Sequence, residues 1–177
     1  MKKIIYFSFA LIISILFSSC TENDDEFFAT KSVTVNNLIE VETSSNILSV
    51  SCNFDRILNV GNVNPLDLYL TTESRYFFFN FSLQKLNESG TWTYVFPENI
   101  SENEGDNVYG NYISAIQELN SLDAHYEYDT DFILDPGEYR IEVEPRLVST
   151  NSQNAVSIAI KTSTIGAVGN VLEFTIN

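Results

Sequence analysis

From residue 32 onward, apolar side chains recur at every second position, and this period of two restricts the chain to β-strands with one buried and one wet face. Leu48, Val50, Cys52 and Phe54 alternate with Ser49, Ser51 and Asn53, and Leu66, Leu68 and Leu70 with Asp67, Tyr69 and Thr71. The same beat runs through Phe77, Phe79, Phe81 and Leu83, through Trp92, Tyr94 and Phe96, and through Tyr139, Ile141 and Val143. It returns in Val156, Ile158 and Ile160 and closes the chain with Leu172, Phe174 and Ile176. Strands of this kind are expected to pack as an all-β, antiparallel β-sandwich. With 44% hydrophobic and 13% aromatic residues, the chain can fill such a core. Asn87-Glu88-Ser89-Gly90 and Asp135-Pro136-Gly137 supply turn chemistry between strands. One interval departs from the pattern: Tyr109, Tyr112, Ile113, Ile116 and Leu119 fall at helical spacing, which predicts one short helix over 109–122. The polar, acidic stretch from Glu98 to Asn107 reads as a surface loop.

The N-terminus follows a different logic. Lys2-Lys3 is followed by an apolar run from Ile4 to Phe17, shorter than the ~20 residues of a spanning helix. Leu16-Phe17-Ser18-Ser19-Cys20 then places small residues directly before a cysteine. This layout resembles a bacterial lipobox. The resemblance implies a signal peptide over 1–19, cleavage before Cys20, and acylation of Cys20 as a membrane anchor. Thr21-Glu22-Asn23-Asp24-Asp25-Glu26 is too polar to bury itself and reads as a tether. It resembles the acidic export tag of Bacteroidota lipoproteins, which implies an outer-membrane protein facing the cell surface. The expected organisation is therefore signal peptide 1–19, lipidated cysteine and acidic tether 20–31, and a single β-sandwich domain 32–177. With Cys20 lipidated, only Cys52 remains and no internal disulfide can form; its strand phase predicts a buried, inert thiol.

Leu134-Asp135-Pro136-Gly137-Glu138-Tyr139-Arg140-Ile141-Glu142-Val143 resembles the tyrosine corner of immunoglobulin-like and fibronectin-type-III-like domains. The resemblance implies an immunoglobulin-like sandwich in which the Tyr139 hydroxyl bonds back to upstream backbone.

Charge narrows the partners. Nine Lys and Arg stand against 24 Asp and Glu, a net charge of −15, and two of the bases lie in the export signal. Such a surface repels phosphate backbones, which argues against nucleic acid, and its simplest role is solubility. Catalysis has little to work with. His125 is the chain's one histidine and falls on the polar side of its local alternation, and no Gly-x-Ser-x-Gly elbow occurs. No catalytic residue is assigned. No cofactor is expected beyond a structural calcium ion, for which Asp129, Asp131 and Asp135 are the candidate oxygen ligands, without the glycine and closing glutamate of an EF-hand. Glu102, Glu104 and Asp106 form a second, looser acidic group.

Aromatic residues are the remaining resource. Sugar-binding sandwiches stack rings on pyranose faces, and Trp92, Tyr94 and Phe96 would make such a platform if exposed, although the expected place for a stripe of large rings is the core. Tyr76 and Phe78 are out of phase with the core phenylalanines of their strand and are expected at an exposed patch or edge contact. The expected function is a non-enzymatic, membrane-anchored lipoprotein presenting a β-sandwich to an extracellular glycan or protein. A structural accessory subunit of a surface complex is the alternative, and a carboxylate-dependent hydrolase the third reading.

Overall fold

The computed structural model describes residues 29–61 and 65–177. The signal peptide, Cys20 and the acidic run through Glu26 lie outside the described residues. Within them the chain is mostly strand. The sheet is organised around β6 (Tyr76–Leu86), an 11-residue strand whose two halves have different neighbours. Its first half is flanked by β10 (Ile113–Leu119) and β13 (Arg146–Thr150), its second half by β7 (Trp92–Tyr94) and β12 (Gly137–Val143). Beyond β13 lie β14 (Val156–Lys161) and β1 (Ala29–Thr34), and beyond β12 lies β16 (Val171–Ile176). On the other side the order continues from β10 to β11 (His125–Ile133), β3 (Ile47–Asp55), β2 (Ile39–Ser44) and β15 (Thr164–Ile165). A separate two-stranded ladder joins β4 (Ile57–Leu58) and β5 (Leu66–Asp67). β1 takes in Ala29–Lys31, which the sequence assigns to the tether. Its pairing with β14 and that of β15 with β2 are parallel, so the sheet is mixed and not purely antiparallel.

The period of two sorts side chains as expected along β6. Phe77, Phe79, Phe81 and Leu83 are buried, and the three phenylalanine rings meet Tyr126, Tyr128 and Phe132 of β11 edge-on at centroid distances of 4.9 to 5.8 Å. Cys52 is 1% exposed on the core face of β3. Asn87 shapes the β6–β7 hairpin: its Oδ1 accepts from the amides of Ser89 at 3.0 Å and Thr91 at 2.9 Å.

Three expectations are corrected. The helix over 109–122 is absent. β10 occupies half of that interval, with Ile113, Ala115, Gln117 and Leu119 turned inward. A small and a polar residue at two inward positions weaken the apolar alternation, while Ile116 and the exposed Tyr109 and Tyr112 mimic a helical stripe. Glu98–Asn107 is largely strand: β8 (Ile100–Glu104) pairs with β11 and β9 (Asp106–Tyr109) with β10. β10 and β11 pair directly only at Glu118–Glu127 and Leu119–Tyr126, then part, and β8 and β9 enter between them with Gly105 at the fork. There φ is +74°, and an added Cβ would run into the backbone oxygen of Ile116.

The third correction concerns Leu66–Leu70, where the strand stops at Asp67 and α1 (Leu68–Thr72) begins. Asp67 is its N-cap, accepting from the Leu70 amide at 2.8 Å, and it also receives Arg56 through Nε at 2.9 Å and Nη2 at 2.5 Å. The cap turns the chain out of the extended phase, leaving Leu68 buried and Leu70 72% exposed.

Candidate functional site

The five-residue connection Asn87–Thr91 sets Leu86 opposite Trp92 and Gln84 opposite Tyr94. Side chains directly opposed across antiparallel strands share a face. Trp92 and Tyr94 therefore stand with the even-numbered residues of β6, away from Phe77, Phe79 and Phe81. The expectation of a buried stripe is overturned: Tyr94 is 62% and Phe96 46% exposed, and Trp92 is half-buried. Trp92 lies under the Arg140 guanidinium, 4.7 Å from the ring centroid, and Arg140 also donates to Gln84 Oε1 at 2.6 Å.

A cleft opens where β7 and β10 part along one edge of β6. Its volume is about 530 Å³, within the range of small-molecule sites. The floor is Asn80 and Ser82 of β6. Tyr94 contributes from β7, and Tyr112, 54% exposed, stands directly before β10. Glu142, Glu144 and Pro145 line it from the junction of β12 and β13, together with the turn residues Gly169 and Asn170. Local backbone chemistry builds these walls. The Glu144 amide donates to the Asn80 carbonyl at 2.8 Å, and the Val143 amide to Asn170 at 2.9 Å. Pro145 follows, contributes no amide proton, and separates the two strands. Asn80 is clamped on both ends of its amide, donating to Glu144 Oε2 at 3.0 Å and accepting from Ser114 Oγ at 2.8 Å. The segments that carry Tyr94 and Tyr112 also carry Phe96 and Tyr109, whose rings meet edge-on at 6.0 Å. Phe96 and Tyr109 thus extend the exposed aromatic surface. Burial and the neighbouring charge of Glu102 raise the Tyr109 hydroxyl pKa.

Of Trp92, Tyr94, Tyr76 and Phe78, the aromatic residues expected to contact a ligand, only Tyr94 lines this cleft. Tyr76 and Phe78 share the face of Asn80 but are half-buried further along β6, so neither forms an exposed patch. Phe78 lies between Ile116 and Val148 on the neighbouring strands, and the Tyr76 hydroxyl reaches Glu118 at 3.5 Å. Tyr112 was hidden by the helical reading. The signal for Tyr94 was available in the hairpin, because its register alone puts position 94 on the face of position 84.

The acidic candidates also rearrange. Asp131 accepts from Ser49 Oγ at 2.5 Å, Asp129 faces Asn103 at 3.4 Å, and Asp135 sits exposed in the corner before β12. These three aspartates do not converge on one ion. Among the described residues the group that does converge is Asp123, His125 and Glu127, whose ligand atoms lie within 4.8 Å of one another. His125 Nε2 is 2.6 Å from Asp55 and Nδ1 3.6 Å from Asp123. Desolvation opposes charging of His125, but the hydrogen bonds to Asp55 and Asp123 outweigh it and raise the imidazole pKa. The register extends the carboxylates across the outer face of β2, β3 and β11, where Glu40, Glu42, Asp55, Glu127, Asp129 and Asp131 share one side. Cys52 is no nucleophile: its side chain is shut in the core and burial pushes the thiol pKa well above its ordinary value.

The chain matches no protein-family model, no curated protein and no solved structure.

Proposed function

We propose that this chain is a lipid-anchored, cell-surface binding module, without catalysis of its own, that holds a saccharide in the cleft between Tyr94 and Tyr112. The observation that carries this reading is the cleft itself. Two large exposed rings here flank a concave surface with the polar groups of Asn80, Ser82, Glu142 and Asn170, the combination of apolar faces and a few polar groups that ligand sites use. Tyrosine suits such contact because it offers a rigid apolar face and a hydroxyl at low entropic cost. Sugar rings present the complementary surface, with C–H faces for the rings and hydroxyls for the amides and carboxylates. Docking as an accessory subunit calls for a broad apolar face, whereas the outer face of β2, β3 and β11 carries carboxylates. The Tyr139 corner supports an immunoglobulin-like reading of the fold around β12. The lipobox-like run ending at Cys20 supports the anchor, and the acids after it support surface exposure.

The experiment is a glycan-array screen of the soluble domain, followed by titration calorimetry with the best oligosaccharide. Tyr94→Ala and Tyr112→Ala should each weaken binding by about tenfold, roughly 1.4 kcal/mol. Equal affinity in both variants would reject the cleft as the site. For the anchor, Cys20→Ala should abolish acyl labelling and release the protein from the membrane fraction.

A further inference from the structure

Resting on the saccharide reading of the cleft, we infer that its ligand carries a free amine, so that the ligand class is an amino sugar in its protonated form. The lining has one sign of charge. Glu142 and Glu144 both contribute to it, and no lysine, arginine or histidine is among the residues that form the cleft. Arg146 follows Pro145 and makes no ion pair with either carboxylate among the described residues, and Arg140 is held by Gln84 at 2.6 Å and by the Trp92 ring at 4.7 Å. Arg140 is thus turned to partners of its own instead of neutralising the two carboxylates. Asn80 holds Glu144 in place with an amide hydrogen bond, which leaves its charge intact. The faces of Tyr94 and Tyr112 add to the preference, because the quadrupole of an aromatic ring attracts an ammonium group. A uronic acid, a sulfated sugar or a phosphate would meet two carboxylates on a chain of net charge −15. An N-acetylated sugar would bring a neutral amide that can donate a hydrogen bond to them but carries no charge to pair. An ammonium brought against them is paired on arrival.

Three trimers separate this inference from the reading beneath it: a glucosamine trimer, its N-acetylated counterpart and a galacturonic acid trimer. Each is titrated into the soluble domain in mildly acidic buffer with a chelator present, using the wild type, the Glu142→Gln/Glu144→Gln variant and the Tyr94→Ala/Tyr112→Ala variant. The glucosamine trimer should bind the wild type at least about tenfold more tightly than either of the others. In the double-glutamine variant that preference should vanish, with glucosamine affinity falling to the level of the N-acetylated trimer. The double-alanine variant should bind all three poorly. Attraction to the acidic outer face of β2, β3 and β11 alone would leave glucosamine binding unchanged in both variants, which would overturn the inference. Tight binding of the N-acetylated or uronic trimer with no loss in the double-glutamine variant would overturn the amine preference and keep the saccharide reading. A cleft that binds none of the three, and no sugar on the array, would overturn both.

Discussion

The Tyr139 hydroxyl donates to the backbone carbonyl of Asp135 at 2.8 Å, closing the turn that launches β12. Tyr139 is 4% exposed, stacks on Phe174 of β16 with centroids 5.7 Å apart, and takes the Lys85 ammonium 5.1 Å over its ring. Tyr139→Phe keeps the ring and removes one hydrogen bond. It should cost about 0.5–1.5 kcal/mol in urea denaturation, and more if the Asp135 carbonyl is left without water. An unchanged midpoint would mean that the corner contributes nothing.

Gly105 tests the fork between β10 and β11. Its left-handed backbone and the closeness of the Ile116 carbonyl leave no room for a methyl group. Gly105→Ala should lose at least about 1–3 kcal/mol from the backbone conformation alone. The Asn107 side chain, which accepts from the Tyr128 hydroxyl at 2.8 Å and donates to Thr130 at 3.1 Å, should become exposed to solvent. A thermal midpoint within error of wild type would contradict this placement of β8 and β9.

Asp67 gives a pH dependence with a definite sign. The hydrogen bond from Arg56 holds its carboxyl below the ordinary range against a smaller desolvation effect, with help from the Leu70 amide. Its stabilisation is therefore complete above the unfolded pKa of about 3.9 and disappears as the pH falls through the lower folded value. Asp67→Ala should lose about 1 kcal/mol near neutrality through the cap. Asp67→Asn keeps a capping oxygen and loses the ion pair, so its deficit against wild type should shrink on acidification. A deficit that grows in acid would reverse the sign and reject the assignment.

Cys52 reports on the register of β3. Thiol reagents should label the native domain slowly and the unfolded chain fast, since the side chain is sealed in the core. Cys52→Ser buries a hydroxyl and should cost about 1–3 kcal/mol, more than Cys52→Ala. Fast native labelling would place β3 one residue out of step and turn its face inside out.

What could be read in advance divides along physical lines. Alternation located β3, β6, β12, β14 and β16 because each carries apolar residues at every inward position. β10 escaped because Ala115 and Gln117 occupy inward positions, and Gln117 is tolerated there while its amide donates to the Ala115 carbonyl at 3.0 Å. α1 escaped because a single capping aspartate overrides the alternation on either side of it. Cys52 and the Tyr139 corner were legible, since both depend on local spacing. The cleft was only half legible. Tyr94 belongs to a hairpin whose register local sequence determines, but its meeting with Tyr112, Glu142 and Asn170 depends on β6 being shared by strands far apart in the chain. The acidic residues sort differently: Asp129 and Asp131 lie along one strand face, each with a partner of its own, while Asp123, His125 and Glu127, close together in sequence, converge through the turn before β11.

Amide chemical-shift mapping of the isotopically labelled domain tests, residue by residue, whether a saccharide occupies the cleft between Tyr94 and Tyr112. Titration with the best-binding oligosaccharide should move the backbone amides of Asn80, Ser82, Tyr94, Tyr112 and Asn170 together, along one saturable curve. Amides of Ser49, Ser51 and Asp131 on the acidic outer face should stay in place. Shifts confined to that acidic face, or an unperturbed cleft at saturating ligand, would contradict the account.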